Sequence, residues 1–490
     1  MADMTDDSNF LAIPPERRIY SSRTLNLRSI GAIGYDMDYT LVHYRTEAWE
    51  ERAYARMREL LADEGWPVAG LEFNPELVIR GLVIDIELGN IVKPNRFGYV
   101  VRAAHGTRRL EFDEQREIYR HTPVDLASPR FIFLNTLFAL SECCLYAQLV
   151  DRYDARLDRF PNVHSFSDLY RKVRSTVERA HVEGLIKKEI TDNPERYVEP
   201  DPEAPIALLD QLDAGKRLML ISNAEWPYAR DLMTWAFDPF LPGKMTWRDL
   251  FELIILQARK PVFFAHPLPL FSIADEGLGL LKPVAGPLPG PGLYVGGDAM
   301  KVEDYLGMSG AEILYVGDHV FADVRVSKVE LRWRTALILR ELEGEISQIQ
   351  AFATDQDRLT RMMAEKVRYE NMLSRARLDL QRRRFDREGA MDQSLKDLEE
   401  RVTSLRAHLL VLDQGIAPYA RSASSLKNDR WGLLLRAGND KSHLARQLER
   451  SADVYTSRVS NFMLASPYAF LRSSRGSMPH DPSPPHAPAP

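Results

Sequence analysis

Short apolar runs that stop at polar residues recur along the chain and predict the strands of a parallel β-sheet. Runs suited to strands buried on both faces cover residues 30–35, 217–221, 251–256, 313–316 and 335–339. The segments between the later runs are long enough for crossover helices. In sheets of this kind, chemistry lies beyond the carboxyl ends of the strands. The pattern therefore predicts a doubly wound α/β core with a functional site at that edge.

The spacing of the runs also predicts how the chain divides. The gap between the first two runs is too long for one crossover connection. We interpret residues 45–204 as a mainly helical cap insertion with a small β element at residues 80–90 and 98–103, and residues 25–44 and 205–340 as the core. The most apolar stretch, residues 131–150, contains Asn, Ser, Glu and Gln, which favours a buried helix over a membrane span.

Beyond Gly344 the pattern changes to that of long helices. Apolar residues in heptad spacing are Leu395, Leu398, Val402, Leu405, Leu409 and Leu412. We expect residues 341–475 to form a helical hairpin that packs back on the core, with Gly389 separating its two helices. An ordinary amphipathic helix and a self-association arm both fit, and a homo-oligomer, dimer or tetramer, is the expectation. The Pro-rich residues 476–490 are predicted to be disordered.

Composition narrows the class of protein. The chain has 490 residues, and its net charge of −6 gives no overall basic footprint for nucleic acid. Its two cysteines, Cys143 and Cys144, are adjacent and supply neither a disulfide framework nor zinc-ligand spacing. The acidic N-terminus has no basic segment before an apolar one, so no secretory signal is visible. We expect a cytoplasmic protein without nucleic-acid or membrane partners.

Polar side chains follow the predicted strands where a site is expected. The first run leads into Asp36-Met37-Asp38-Tyr39-Thr40, which is a D-x-D-x-T pattern. Two carboxylates this close repel each other unless a cation lies beside them. Mg²⁺ is the natural candidate because it prefers hard oxygen ligands and is completed by substrate phosphate. A solvated acidic turn is the alternative.

Three later runs are followed by residues that could complete a phosphate site, although taken alone Ser222-Asn223 also fits an ordinary helix N-cap and Lys260 a surface lysine. Ser222 and Asn223 follow the second run, where a hydroxyl and backbone N–H groups can donate to phosphoryl oxygens. Lys260 follows the third run and can place a point charge beside phosphate and nucleophile. Asp318 follows the fourth run as a candidate metal ligand. Asp323 could reach the metal through water or hold Lys260 in place.

The order of these motifs resembles the four-motif set of the haloacid dehalogenase (HAD) superfamily of phosphohydrolases. Further segments look like its cytosolic purine 5′-nucleotidase branch: Arg80-Gly81-Leu82-Val83, Asn135-Thr136-Leu137-Phe138, Ala258-Arg259-Lys260-Pro261, Gly317-Asp318-His319 and residues 455–480 with Met478-Pro479-His480. These matches span nearly the whole chain. The resemblance implies a HAD-like core under a large cap, with Mg²⁺ as cofactor.

The resemblance also implies roles for the motif residues. Asp36 would attack phosphorus and form an aspartyl-phosphate, and Asp38 would act as the general acid and then the general base. Mg²⁺ would be held by the Asp36 side chain, the Asp38 carbonyl and Asp318. The phosphoryl oxygens would be bound by Ser222 and Asn223. Lys260 would offset the negative charge.

Substrate selectivity is expected in the cap. Arg174, Glu178 and His181 are spaced for one helix face, and the resemblance makes that face a reader of a purine base. Phe138 could stack on the base and Lys187 could add charge. The spacing alone fits an ordinary salt bridge between Arg174 and Glu178 equally well. The family pattern has Asp at position 178.

The leading hypothesis is a Mg²⁺-dependent hydrolase of purine nucleoside 5′-monophosphates, with IMP and GMP favoured over AMP because hypoxanthine and guanine share O6 and N1–H. A nucleoside can intercept an aspartyl-phosphate as well as water can, so phosphotransferase activity is open. A phosphatase for another small phosphomonoester and a non-catalytic oligomeric scaffold are the alternatives.

Overall fold

The computed structural model describes residues 13–155, 160–182, 184–387 and 393–474. It divides into two compact units, one formed by Met1–Glu343 with Leu434–Pro490 and the other by Gly344–Leu433. Among the described residues, no helix is both long enough and apolar enough to cross a bilayer.

A ten-stranded sheet forms the centre of the first unit. Its strands are β1 (Tyr20–Ser21), β2 (Ala32–Tyr35), β3 (Arg217–Ile221), β4 (Leu253–Leu256), β5 (Leu270–Asp275), β6 (Leu280–Pro283), β7 (Gly292–Gly296), β8 (Ile313–Gly317), β9 (Arg334–Ile338) and β10 (Val454–Thr456). Their order across the sheet is β1-β10-β9-β8-β2-β3-β4-β7-β5-β6. The strands from β10 to β7 run parallel, and β1, β5 and β6 are antiparallel at the edges.

The five apolar runs all become neighbouring parallel strands of this sheet, as predicted. Strand β2 lies in the middle and each of its residues is buried, because it has neighbours on both sides and packing on both faces. Gly34 leaves space for the Tyr315 ring of β8, because a Cβ at position 34 would lie 2.9 Å from that ring. The central strands therefore pack closely enough to bring their carboxyl ends together.

The insertion between β2 and β3 carries both helices and an antiparallel sheet. Its helices are α1 (Thr46–Asp63), α2 (Phe112–Tyr119), α3 (Leu140–Asp154), α4 (Phe166–Val182), α5 (Leu185–Asp192) and α6 (Pro194–Tyr197). Its five strands lie in the order Arg108–Arg109, Val100–His105, Asn90–Pro94, Val83–Asp85 and Phe131–Phe133. The predicted β element is thus present and larger than expected.

The insertion leaves and re-enters the core at one place. The strand His43–Tyr44 pairs antiparallel with Val198–Glu199, so the first and last residues of the insertion are held side by side. The stretch predicted as one helix is a strand, Phe131–Phe133, followed by a 3-10 turn and then α3. Its first part is extended because it pairs with Val83–Asp85.

Helices connect the strands of the core. They are α7 (Glu203–Asp213), α8 (Trp226–Phe237), α9 (Val262–Ala265), α10 (Ala299–Leu306) and α11 (Val326–Glu330). After α12 (Leu342–Ala351), the second unit contains α13 (Ala353–Arg384) and α14 (Leu395–Ser424). The chain then returns to the first unit with α15 (His443–Ser451), β10 and α16 (Asn461–Ala465).

The second unit is built on the contact of α13 with α14. Ala376, Val402 and Leu405 are buried together between the two helices, which the heptad pattern predicted for α14. Gly389, expected to separate the helices, and the Pro-rich residues 476–490 lie outside the described residues.

The α/β class with a cap insertion and a C-terminal helical extension is confirmed, with one correction to the limits of that extension. The prediction assigned residues 341–475 to helices, yet the chain from Leu434 onward belongs to the first unit and supplies β10 to the main sheet. Strand β1 likewise precedes the predicted start of the core at residue 25. These strands have two or three residues, which is too short to stand out as apolar runs.

Candidate active site

The predicted polar residues follow the ends of three neighbouring strands and lie at one edge of the sheet. Asp36 follows β2, Ser222 follows β3 and Asp318 follows β8, and β2 is paired with both other strands. Lys260 lies four residues after β4, next to β3 in the sheet. Because parallel strands end at the same edge, residues far apart in sequence meet there.

Three buried carboxylates form a cluster at this edge. One oxygen from each of Asp36, Asp318 and Asp323 lies within 4.8 Å of the others. Asp323 reaches the cluster because the chain after β8 turns into a π-helix, Val320–Arg325, that folds back over the strand end. Gly317 permits this approach, since a Cβ there would lie 2.5 Å from Asp323 Oδ2. The cluster thus depends on a glycine as well as on its acids.

Lys260 lies between two of these carboxylates. Its Nζ is 2.7 Å from Asp36 Oδ1 and 2.8 Å from Asp323 Oδ1, and it donates to the Tyr315 hydroxyl at 3.1 Å. Burial favours the neutral amine, but the Asp323 and Asp36 carboxylates outweigh it and raise the Lys260 pKa well above its usual value. The ammonium therefore stays charged at any physiological pH.

The carboxyl groups themselves have raised proton affinities. Burial, opposed by Lys260 and reinforced by Asp323, raises the pKa of Asp36 to about 6. Burial, with Asp323 and Asp36 adding repulsion, raises the pKa of Asp318 well above its usual range. Two cations, Lys260 and the Arg80 guanidinium 4.0 Å from Asp318 Oδ2, face the three carboxylates of the cluster, and Arg80 is shared with Glu341. Negative charge therefore remains in excess, which is the electrostatic situation that a divalent cation relieves.

Asp38 lies at the mouth of the site and is half-buried. It accepts a hydrogen bond from the Tyr44 hydroxyl, which in turn lies 2.8 Å from the Tyr228 hydroxyl. Desolvation and the nearby Asp36 charge raise the pKa of Asp38 to about 6, although the Tyr44 bond opposes them. A carboxyl with this proton affinity can both give and take a proton near neutral pH.

The side-chain amide of Asn223 is bonded to the backbone of Lys260, and phosphate binding by the backbone N–H groups after Ser222 stays a prediction. Its side-chain Oδ1 accepts from the Lys260 N–H at 2.7 Å and its Nδ2 donates to the Lys260 carbonyl at 3.2 Å. The amide therefore fixes the backbone of Lys260 and is not directed to a phosphoryl oxygen. Ser222 is buried and its Oγ accepts from the Ala224 N–H at 3.1 Å, which leaves its own proton to donate.

A cavity of about 510 Å³ joins this edge of the sheet to the cap. Residues from both regions line it, including Asp38, Thr136, Phe138, Glu142, Arg174, Glu178, Lys187, Asn223 and Tyr228. The predicted base-binding residues Phe138, Arg174, Glu178 and Lys187 thus share one space with Asp38. The side chain of His181 lies outside the described residues.

Two of the cap residues are already bonded to each other. Arg174 donates from Nε to Glu178 at 3.2 Å and from Nη1 to the buried Glu142 at 2.9 Å. The i, i+4 salt bridge that the spacing allowed is therefore present, and the Glu178 side chain is 63% exposed. Glu142, which the sequence did not single out, contributes more to holding Arg174 because it is buried.

Phe138 lies in a cluster of aromatic rings beside the cavity. Its ring centroid is 4.6 Å from that of Tyr39 and 5.5 Å from that of Trp49, in edge-to-face arrangements. Lys187 lies 3.8 Å from Glu225 and 5.7 Å from the centre of the Tyr228 ring. These contacts fix both side chains at the cavity wall.

Several polar residues of the site gave no motif signal of their own. Tyr44, Tyr228 and Tyr315 act through contacts between residues distant in sequence, and no spacing rule predicts them. Arg80 belonged to a segment noted for family resemblance. It is buried and donates to the Asp318 carbonyl at 3.3 Å and to Glu341 at 2.6 Å.

This combination defines a class of protein. The site contains a carboxylate held by an ammonium, an acidic cluster with excess negative charge and a second carboxyl that can carry a proton. All three lie at the carboxyl edge of a parallel sheet, below a cap. These are the parts of an α/β phosphohydrolase.

Comparison with known proteins makes the assignment specific. The sequence model of the 5′ nucleotidase family matches residues 19–483. Relatives include 5′-nucleotidase domain-containing proteins from Dictyostelium discoideum, 26% identical over 94% of this chain and 74% of that protein, and from Homo sapiens, 26% identical over 91% and 83%. The chain belongs to the 5′ nucleotidase family and is a phosphoric monoester hydrolase.

Solved structures with detectable likeness are more distant. An archaeal β-phosphoglucomutase from a hyperthermophilic Pyrococcus is 12% identical, with a TM-score of 0.31 over 63% of this chain and 87% of that one. A haloacid dehalogenase-like hydrolase from Xanthomonas campestris is also 12% identical, with a TM-score of 0.25 over 63% and 82%.

Proposed function

We propose that the protein is a Mg²⁺-dependent 5′-nucleotidase that hydrolyses purine nucleoside 5′-monophosphates, IMP and GMP above all, to nucleoside and phosphate. The observation that carries the proposal is the cavity of about 510 Å³ that has Asp38 at one end and Phe138 and Arg174 on the cap side. A cavity of this size, lined by aromatic rings and by charged side chains of both signs, suits a nucleotide with its base, ribose and phosphate.

The acidic cluster fits the proposed metal. Asp36 and Asp318 have raised pKa values because burial and mutual repulsion penalise their charge, and carboxylate oxygens are the ligands Mg²⁺ prefers. Asp36 and Asp318 would hold the ion, with Asp323 close enough to join directly or through water. Bound there, Mg²⁺ would neutralise charge on the transferring phosphoryl group.

In the first chemical step, Asp36 is the nucleophile. Its Oδ1 accepts from the Met37 N–H at 2.8 Å and from Lys260, which leaves Oδ2 to attack phosphorus. As the new O–P bond forms, the bond from phosphorus to the ribose 5′ oxygen breaks. Asp38 gives its proton to that oxygen, so the nucleoside leaves neutral and the phosphoryl group remains on Asp36.

In the second step, water attacks the aspartyl-phosphate and Asp38 takes its proton. The bond between phosphorus and Asp36 breaks, phosphate leaves, and both carboxyl groups return to their starting states. A second nucleoside in place of water would give phosphotransfer, because the intermediate is the same. Lys260 and the Ser222 hydroxyl would stabilise the negative charge in both steps.

Base selectivity is proposed to come from Arg174 and Phe138. Glu142 and Glu178 occupy Nη1 and Nε of Arg174, which leaves Nη2 to donate to an acceptor. The O6 of hypoxanthine and guanine is such an acceptor, whereas adenine carries an amino group at that position. The aromatic cluster around Phe138 offers an edge and a face for a purine ring.

The test is phosphate release from IMP, GMP, AMP and ribose 5-phosphate, each with Mg²⁺ and with a chelator. We expect the 6-oxopurine nucleotides to be hydrolysed fastest and all activity to need the metal. Asp36→Asn should abolish release, while Asp231→Asn, which changes an exposed pair with Arg230, should not. Equal rates for ribose 5-phosphate and IMP would refute base recognition by the cap.

We also propose that the enzyme is cytoplasmic and acts as a homo-oligomer. Two buried free thiols, Cys143 and Cys144, support a reducing compartment. Exposed apolar side chains on both helices of the second unit, among them Val367 and Val411, support self-association. Light scattering should give a dimer or tetramer mass. A monomer at micromolar concentration would refute it.

A further inference from the structure

Two tyrosine hydroxyls and the carboxyl of Asp38 form a hydrogen-bonded line. Tyr44 donates to Asp38 Oδ1, and the Tyr44 and Tyr228 oxygens are 2.8 Å apart. A phenol has one proton to donate, and that of Tyr44 is used on the carboxylate. Tyr228 must therefore donate to Tyr44, which sets the direction Tyr228 to Tyr44 to Asp38.

The line joins three separate parts of the chain. Asp38 belongs to the loop after β2, and Tyr44 ends the strand that pairs with Val198–Glu199 where the insertion returns. Tyr228 lies in the first turn of α8, just after the Ser222 loop. The carboxyl of Asp38 is thus connected both to the base of the cap and to the helix that follows the phosphate-binding loop.

Packing fixes the two rings. The Tyr44 ring stacks on Trp49 at 5.6 Å and meets Tyr39 edge-on at 5.1 Å, and it is 2% exposed. Tyr228 is 7% exposed, with the Lys187 ammonium 5.7 Å from its ring centre. Rings held in this way hold their hydroxyls, so the bond to Oδ1 constrains the rotation of the Asp38 carboxyl.

We propose that Tyr44, supported by Tyr228, is a positioning residue that keeps Oδ2 of Asp38 turned toward the leaving oxygen of the phosphate ester. The proposal rests on the proposed function in taking Asp38 as the proton donor, but it does not depend on the nucleotide. During the first step the proton moves from Asp38 Oδ2 to the ester oxygen while the bond from phosphorus to that oxygen breaks. Tyr44 keeps its own proton throughout.

The leaving group provides a readout that separates this role from a structural one. An alkoxide such as the ribose 5′ oxygen needs a proton to leave, whereas p-nitrophenolate leaves readily without one. Loss of carboxyl positioning should therefore slow alkyl esters and spare aryl esters. The ratio kcat/KM reports the step in which the ester bond breaks, so it is the quantity to compare.

The experiment measures kcat/KM of the full chain with Mg²⁺ on IMP, ribose 5-phosphate and p-nitrophenyl phosphate. For Tyr44→Phe, we expect a loss on the order of tenfold to a hundredfold for the alkyl esters, which is part of what a general acid contributes. The aryl ester should change by less than about threefold, within the scatter of an indirect effect. Tyr228→Phe should give the same pattern more weakly.

Tyr35→Phe is the matched control. Tyr35 is also buried near the site, but its hydroxyl donates to Gln211 at 2.6 Å and has no link to Asp38. It should leave the alkyl-to-aryl ratio unchanged. An equal loss on alkyl and aryl esters for Tyr44→Phe, or no loss on either, would overturn the positioning role. If IMP is not hydrolysed but ribose 5-phosphate shows the split, the nucleotide proposal fails and the tyrosine proposal stands.

Discussion

Arg80, in the cap insertion, hydrogen-bonds the backbone carbonyl of Asp318 at the end of a core strand, with Nη1 3.3 Å from the oxygen. The other end of its fork donates to Glu341 at 2.6 Å, and the side chain is 1% exposed. The Asp318 side chain accepts a further, long bond from Thr136 Oγ1 at 3.5 Å. Two residues of the insertion therefore fix a candidate metal ligand of the core.

Arg80→Lys should lower both stability and activity. A lysine has one point of attachment and cannot reach the Asp318 carbonyl and Glu341 together. Losing one of the two contacts of a side chain that is 1% exposed should cost on the order of 1–3 kcal/mol of unfolding free energy. Urea unfolding of the variant and of wild type measures this loss of unfolding free energy. Arg80→Lys in a Glu341→Gln background should lose less, and purely additive losses would show that the two residues are not coupled.

Lys260→Met should destabilise the metal-free protein strongly. Without the ammonium, the Asp36 and Asp323 carboxylates lose their partner, and breaking a buried pair costs about 3–5 kcal/mol. Denaturant unfolding in a chelator measures this. Lys396→Met, at a lysine 84% exposed and 3.9 Å from Glu400, is the control and should change stability by less than about 0.5 kcal/mol. Equal effects would mean that Lys260 carries no buried charge compensation.

Mg²⁺ should stabilise the native protein through Asp318. At free Mg²⁺ a hundredfold above its Kd, the gain in unfolding free energy is about 2.7 kcal/mol, visible as a rise in Tm. Asp318→Asn should abolish that rise. Because burial raises the pKa of Asp318 and so penalises its charge, the same variant should be at least as stable as wild type in a chelator. A full Mg²⁺ shift in Asp318→Asn would exclude this metal site.

His43 should make stability depend on acid pH. Burial, with Arg340 and Arg458 adding repulsion, lowers the pKa of His43 to about 3. The unfolded chain, with a histidine pKa of about 6.5, therefore binds one more proton than the folded chain between the two values. The contribution of His43 is fully present above the unfolded value. It is lost as pH falls toward the folded one, by about 1.4 kcal/mol per pH unit.

His43→Phe removes this titration, and it also removes two buried ring nitrogens that have no hydrogen-bond partner among the described residues. Between about pH 6 and 4, the unfolding free energy of the variant should fall less steeply with falling pH than that of wild type. The difference in slope should correspond to one proton. The exposed His121 serves as a control, and His121→Gln should keep the wild-type slope. Identical slopes for His43→Phe and wild type would contradict the assignment.

Arg174 and Glu178 should differ in their effect on substrate choice. Arg174→Met removes the proposed donor to O6 and should raise KM for IMP by on the order of tenfold, leaving ribose 5-phosphate unchanged. Glu178→Gln should have little effect, because the exposed side chain can still accept from Arg174 Nε. A larger loss of IMP selectivity in Glu178→Gln than in Arg174→Met would reverse the roles.

Much of the candidate active site could be predicted from the sequence because each of its motif residues follows an apolar run. Asp36, Ser222, Lys260 and Asp318 come at or just after strand ends, and neighbouring parallel strands bring such positions together. The position of Asp323 could not be predicted from this rule alone. Its place in the cluster depends on a π-helix and on the absence of a side chain at Gly317.

Other parts of the site depend on long-range contacts. The Asn223 side chain could hydrogen-bond to phosphate or to the protein backbone, and only the fold shows that its amide is bonded to the backbone of Lys260. Tyr44 and Tyr228 are 184 positions apart, and no periodicity relates them. Strand β10 has three residues, so its place in the sheet follows from pairing with β9 rather than from its own composition.

The short ladder between His43–Tyr44 and Val198–Glu199 closes the insertion at its base. Because its two ends are adjacent, the chain leaves and re-enters the core without changing the spacing of the core strands. Changes of length within the insertion can thus be absorbed at its base, whereas residues such as Arg80, which contacts the Asp318 carbonyl, tie its sequence to the candidate site.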